Sequence, residues 1–199
     1  MIVPKAYPLT LKLDCVNWPG EFPEKPDVSL QIWHSGNALH IIYKVDEPTV
    51  RAEEGTPGNY VYKDSCVEFF FRPDLADPHY YNFEWNAIGT LFLARRTGRQ
   101  DPELAPEEVL AMVKAHSSEG SKPFAERPAK GPWTLEVEIP VEALWHHEIK
   151  SFDAVHAAAN FYKCGDGLSV PHYVTWAPIS AAKPDYHRPE FFAALDFEA

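Results

Sequence analysis

In several stretches of this chain apolar side chains recur at every second position, and a segment patterned this way can bury one face only as a β-strand. Tyr81, Phe83, Trp85 and Ala87 fall on one face, and Tyr80, Asn82, Glu84 and Asn86 on the other. Trp133, Leu135, Val137 and Ile139 alternate with Thr134, Glu136 and Glu138, and Leu39, Ile41, Tyr43 and Val45 with His40, Ile42 and Lys44. Each stretch is expected to be a half-buried strand. Further strands are expected over 28–33, 65–71, 90–94, 157–163 and 191–197, because Pro, Gly, Asp and Asn clusters punctuate the sequence between them.

About eight or more short strands without alternating long helices argue for an all-β fold, an antiparallel β-sandwich of immunoglobulin-like or jelly-roll-like kind. Residues 1–199 read as a single domain, with no internal repeat and no linker. One short inserted helix is expected over 106–116. There Pro106 suits the first turn, Glu107 and Glu108 the positive helix end, and Val109, Met112 and Val113 an apolar stripe. A single turn is expected over 141–145 and a loop over 117–132, which carries three Pro and no periodicity.

With 18 Lys and Arg against 29 Asp and Glu, the net charge of -11 repels phosphate backbones and anionic lipid. Neither nucleic acid nor a membrane is an expected partner. The start of the chain, Met1-Ile2-Val3-Pro4-Lys5, lacks the basic and apolar segments of a secretory signal, so a cytoplasmic location is expected. A chain trimmed of its leader would instead be periplasmic or secreted. Cys15, Cys66 and Cys164 are widely spread with no Cys-x-x-Cys pair, which points to three reduced, mostly buried thiols.

Phosphate-loop, dinucleotide and Gly-x-Ser-x-Gly signatures are absent, and His146-His147-Glu148 lacks the spacing that puts two imidazoles on one helical face. Polar strand faces are more informative. Glu68 shares a face with Cys66 and Phe70, and Glu84 shares one with Asn82 and Asn86, so neighbouring strands would set two carboxylates opposite one another. Such a pair suits a glycoside hydrolase or lyase, with Glu68 and Glu84 as acid and base.

It serves sugar binding as well, because carboxylates and amides match hydroxyls while aromatic rings stack on the C–H faces of a pyranose. Tyr60, Tyr62, Trp176 and Tyr186 are the candidate rings, whereas Phe69, Phe83, Trp85, Trp133 and Phe161 belong to the expected core. His172, His187 and Arg188 lie in the aromatic, Pro-rich C-terminal stretch, where a ligand rim can form. A third reading is an interaction domain that has lost its ligand site.

Several motifs in order, Asp64-Ser65-Cys66-Val67-Glu68, Tyr80 to Gly89, Trp133 to Pro140, Asn160 to Asp166 and His187 to Phe192, resemble the family 9 carbohydrate-binding modules. The resemblance spans nearly the whole chain. It implies a DOMON-like β-sandwich that binds sugars without catalysis, often at chain ends, between two aromatic side chains and in support of polysaccharide use. By this resemblance Glu68 matches a carboxylate that contacts sugar hydroxyls, Tyr186 the second clamp ring, and Tyr62 or Val61 the first. Glu84 stands where sugar-binding members place an Arg. The expected ligand-binding set is therefore Tyr62, Glu68, Asn82, Glu84, Asn86, Trp176, Tyr186, His187 and Arg188, with a carbohydrate as partner. No cofactor is required. The family also carries structural calcium, for which Asp74-Leu75-Ala76-Asp77 offers oxygen ligands.

Overall fold

The computed structural model describes residues 1–199. In chain order the strands are β1 (Ile2–Val3), β2 (Leu9–Leu13), β3 (Asp27–His34), β4 (Ala38–Asp46), β5 (Thr49–Ala52), β6 (Cys66–Arg72), β7 (Tyr80–Asn86) and β8 (Leu91–Arg96). They continue with β9 (Glu103–Leu104), β10 (Lys114–Ser117), β11 (Phe124–Pro128), β12 (Trp133–Pro140), β13 (His156–Cys164), β14 (Tyr173–Thr175) and β15 (Ala193–Phe197). One α-helix, α1 (Glu107–Leu110), precedes β10.

An eight-stranded sheet runs β1-β15-β13-β6-β7-β8-β9, with β14 attached to β13, and packs on a five-stranded sheet ordered β10-β12-β4-β3-β2. β5 and β11 form a separate antiparallel pair. The expected antiparallel sandwich is the observed architecture, with β1 alongside β15 as a parallel exception.

Alternation builds the core. Val67, Phe69 and Phe71 of β6, Phe83 and Trp85 of β7 and Phe161 of β13 meet Ile41, Tyr43 and Val45 of β4 and Trp133, Leu135 and Val137 of β12, within a cluster of 37 buried residues. Phe69 stacks on Phe161 at 4.8 Å between ring centroids. Each such side chain removed from water contributes about 1.5–3 kcal/mol before entropy is counted.

β4 and β12 keep the expected half-burial. β6 and β7 depart from it, being buried on both faces. The outer faces of β6, β7, β8 and β13 carry a second apolar cluster of 11 residues, in which Phe70, Tyr80, Phe92 and Tyr162 lie under Trp18, Ile179 and Tyr186 from the covering loops. This second layer is what turns a sandwich face into a place where polar groups can be enclosed.

The helix expected over 106–116 is only Glu107–Leu110, and it has no side-chain cap at Pro106. Lys114–Ser117 pairs instead with the edge of β12, Ala115 opposite Val137, because an open strand edge supplies backbone partners that a short uncapped helix lacks. The loop expected over 117–132 contains β11, whose Phe124 pairs with Ala52 and whose Pro128 closes the ladder opposite Thr49. The turn expected after Pro140 is a 3-10 turn over Val141–Ala143. No helix is long and apolar enough to cross a membrane.

An ion pair is buried beside the core. Lys163 Nζ lies 2.8 Å from Glu47 Oε2, with neither side chain exposed. The same ammonium donates to Cys164 O at 2.8 Å and contacts His172 Nε2 at 2.7 Å. Trp133 Nε1 donates to the other Glu47 oxygen at 2.8 Å. Burial and the Lys163 charge push His172 down to about 2, so its ring stays neutral and can accept from the ammonium. Removing one member strands a buried charge. Lys163→Met is expected to lower stability by about 3–5 kcal/mol in urea melts, and adding Glu47→Leu to recover most of that loss.

Candidate functional site

A pocket of about 400 Å³ opens on the outer face of the large sheet, a size suited to a small ligand. Its floor comes from strand register: Glu68 of β6 lies opposite Glu84 of β7, and both side chains are enclosed, at 3% and 4% exposure. The expected carboxylate pair is therefore assembled. Arg96, at the end of β8, approaches from the third strand.

These groups are linked. Arg96 Nε donates to Asn82 Oδ1 at 3.0 Å, and Asn82 Nδ2 donates to Glu84 Oε1 at 2.6 Å. Arg96 Nη1 donates to Arg99 O at 3.0 Å. Glu68 Oε1 accepts from the Cys164 thiol at 3.1 Å and lies 3.9 Å from Cys66 Sγ. Glu84 Oε2 has no partner at all. A buried acceptor left unpaired costs about 1–3 kcal/mol.

Burial pushes Glu84 up to about 7, against the pull of Arg96 and Asn82. Burial, and then the Glu84 charge, drive Glu68 well above the ordinary carboxylate range, while the Cys164 thiol opposes them. Burial and the charges of Arg96 and Arg99 take His187 down to about 3, leaving a neutral imidazole whose Nδ1 lies 2.9 Å from Tyr80 Oη.

The walls are tyrosines. Tyr60, 56% exposed, stacks on Phe92 at 4.7 Å and meets Tyr62 edge-on at 6.0 Å. Tyr173 packs against Phe22 and Trp18. Arg99 reaches Asp185 Oδ1 at 3.1 Å on the rim, where Asp166 also stands. Asp166 stands between two glycines, and at Gly167 the backbone leaves no room for a side chain. A Cβ on Gly165 would lie 2.6 Å from Leu168 Cδ1, and one on Gly167 would lie 2.7 Å from Lys63 O.

Asp64 anchors the loop that carries Tyr60 and Tyr62. Its buried carboxylate accepts from Glu53 N and Glu54 N, both at 3.0 Å, from Arg51 Nε at 3.2 Å and from Asn86 Nδ2 at 2.9 Å.

Of the nine residues read from the sequence, Tyr62, Glu68, Glu84, Tyr186 and His187 line the pocket. Tyr186 does so differently from a free clamp ring: it is 7% exposed, stacks on Tyr162 at 4.2 Å and donates its hydroxyl to Lys163 O at 2.9 Å. Val61 is fully buried in the apolar layer beneath.

Four expected residues stand elsewhere. Asn82 lies one layer below, between Arg96 and Glu84. Asn86 is sealed in the turn between β7 and β8, where its Oδ1 accepts from Thr90 N at 3.0 Å, the turn chemistry of asparagine. Trp176 packs edge-on against Phe161 on the core side of the sheet, at 5.7 Å. Arg188 pairs with Glu190 at 2.7 Å and covers Phe191.

Arg96, Arg99, Cys164, Asp166, Tyr173 and Asp185 line the pocket without having been singled out as site residues. The signal for Arg96 was its spacing of two from Ala94 and four from Phe92, which puts all three on one strand face. In the 74–77 loop, Asp74 Oδ1 accepts from Ala76 N at 2.8 Å, and Asp77 is engaged by His79 and Arg95.

The family described as carbohydrate-binding family 9 matches residues 5–197. A crystal structure of a candidate carbohydrate-binding protein from Bacteroides uniformis is similar over 96% of this chain and 87% of that one, with 42% identity and a TM-score of 0.92. A family 9 carbohydrate-binding module from Caldicellulosiruptor kristjanssonii in complex with glucose shares the fold. Its TM-score is 0.59 at 11% identity, over 100% of this chain and 95% of that one. The cellotriose complex of such a module from the same organism gives a TM-score of 0.59 at 12% identity, over 100% and 93% of the respective chains. No curated protein matches the chain.

The buried, neutral His187 makes stability depend on pH. Between about 6.5 and about 3 the unfolded chain takes up a proton that the folded ring refuses, so His187 costs stability as pH falls through that window. The difference in unfolding free energy between wild type and His187→Asn is expected to change between pH 7 and pH 4, with a slope of up to one proton and wild type losing more. Denaturant melts of both proteins across that range measure it.

Proposed function

The chain belongs to carbohydrate-binding family 9, and from that premise we infer that the pocket over β6, β7 and β8 holds one pyranose unit of a saccharide without cleaving it. The observation that carries this reading is Glu84, a residue of the pocket lining whose buried Oε2 lacks a donor. A sugar hydroxyl supplies that donor, and Arg96 beside it supplies a charged donor for a hydroxyl oxygen. Tyr60, backed by Phe92 and open on its outer side, offers the C–H face of the ring a platform, with Tyr62 edge-on beside it. Asp166 and Asp185 on the rim discriminate among the outward hydroxyls. Desolvation of so many polar groups limits a single site to about micromolar affinity or weaker, near -8 kcal/mol.

Hydrolysis is the less favoured reading for a geometric reason. Acid and nucleophile or base must flank the glycosidic centre from different sides. Here Glu68 and Glu84 rise from one floor as cross-strand neighbours, beneath the same face of any ring in the pocket. One Glu84 oxygen is also held by Asn82, and one Glu68 oxygen by the Cys164 thiol. Such a domain serves polysaccharide use by holding saccharides for enzymes acting elsewhere.

The related modules from Caldicellulosiruptor kristjanssonii hold glucose and cellotriose, which makes glucose and cello-oligosaccharides the first ligands to test. Calorimetry, preceded by a glycan array, is expected to find a binding saccharide that survives incubation uncleaved. Glu84→Gln should weaken that binding at least tenfold, since the amide replaces an acceptor, and Tyr60→Ala about tenfold. An array on which folded wild type retains no saccharide would refute the reading.

A further inference from the structure

Two of the three cysteines meet at the pocket floor. The antiparallel register of β6 and β13 sets Cys66 opposite Cys164, and Glu68 follows two residues later on the same face of β6. One sulfur from each cysteine and one oxygen from Glu68 all lie within 4.8 Å of one another. The Glu68 oxygen is 3.1 Å from Cys164 Sγ and 3.9 Å from Cys66 Sγ. All three side chains are enclosed, at 0%, 3% and 2% exposure for Cys66, Glu68 and Cys164. Glu68 and Cys164 nevertheless line the pocket, which gives an ion a route in from solvent.

We propose that Cys66, Glu68 and Cys164 form a binding site for a zinc-class divalent cation. Two sulfurs and one carboxylate oxygen converging from two adjacent strands are a soft-leaning donor set, suited to zinc and poorly suited to calcium or magnesium. Around tetrahedral zinc two sulfurs stand about 3.8 Å apart, so closure from the present spacing needs side-chain movement of about 1 Å at most.

Binding exchanges protons for metal: each thiol loses its proton to solvent as its sulfur forms a bond to the ion, and Glu68 binds as carboxylate, releasing to solvent any proton it carries. No electrons are transferred. Two thiolates neutralise the dication, and the carboxylate leaves the site with one negative charge facing Arg96. Three protein ligands leave a fourth position for a water or a ligand hydroxyl. Without metal, burial holds the Cys66 thiol up at about 12, which keeps it protonated and unreactive. Buried cysteines ordinarily pack as small hydrophobes. These two instead direct both sulfurs at a single carboxylate oxygen. The site does not depend on the sugar reading, although it shares Glu68 with that pocket.

Titration of the reduced protein with cobalt(II) tests the site. One equivalent is expected to produce the near-ultraviolet thiolate-to-cobalt charge-transfer band and the visible bands of tetrahedral cobalt, and one equivalent of zinc should abolish both. Cys66→Ser and Cys164→Ser should each remove most of the charge-transfer intensity, Glu68→Gln should weaken binding at least tenfold, and Cys15→Ser should change nothing. If a serine variant fails to fold by circular dichroism, native mass spectrometry of wild type, expected to show one bound zinc and the loss of at least two protons, replaces it. Absence of the band in protein with three titratable thiols would overturn the proposal. So would a band that survives Cys66→Ser and Cys164→Ser, a native mass spectrum that shows no bound zinc, or a Cys66–Cys164 disulfide that persists under reductant.

Discussion

Two glutamates held side by side by strand register, in a place shielded from bulk water, set the conditions for the groups around them. Like charges in a low-dielectric enclosure repel strongly, and each alone pays heavily for leaving water. Glu68 and Glu84 persist there because one guanidinium, one amide and the Cys164 thiol engage them: Arg96 acts through Asn82 on Glu84, and Cys164 on Glu68. The compensation is incomplete. One Glu84 oxygen is unpartnered, and both carboxyls hold protons more tightly than exposed ones. On the proposed reading, a saccharide hydroxyl supplies the missing donor.

Enclosure itself comes from the second apolar layer. In an ordinary sandwich the outer face of a sheet meets solvent, and two glutamates there would behave as surface acids. Here Phe70, Tyr80, Phe92 and Tyr162 on that face are roofed by loops bearing Trp18, Ile179 and Tyr186. The pocket is the gap those loops leave. Asp64 holds one lip through four donors, and the turn between Gly165 and Gly167 holds another. The inner face of the same strands builds the main core, so fold stability and site geometry share β6 and β7.

Period-two patterning made the sandwich legible, and placed Glu68 and Glu84 on strands whose adjacency sets them opposite one another. It could not distinguish a face bathed in water from one covered by distant loops, so β7 read as half-buried. Asn86 looked like a ligand group because its strand face is polar, but its position at a turn decided its role. Trp176 looked like a stacking ring because it sits among Pro and polar residues, yet backbone pairing of its N–H with Phe161 O turns it toward the core. Arg96 and Asp166 escaped notice because one lies past the apparent end of a strand and the other on a glycine-framed turn. The short helix failed as an expectation because the free edge of β12 offered Lys114–Ser117 better backbone partners than a four-residue helix could extend.

The central claim is that the unpartnered oxygen of Glu84 is what a saccharide comes to satisfy. A crystal structure of the protein saturated with its best-binding saccharide tests this most directly. The account predicts a pyranose hydroxyl within hydrogen-bond distance of Glu84 Oε2 and a ring face against Tyr60. A saccharide bound elsewhere on the sandwich, with Glu84 Oε2 still unpaired, would contradict it.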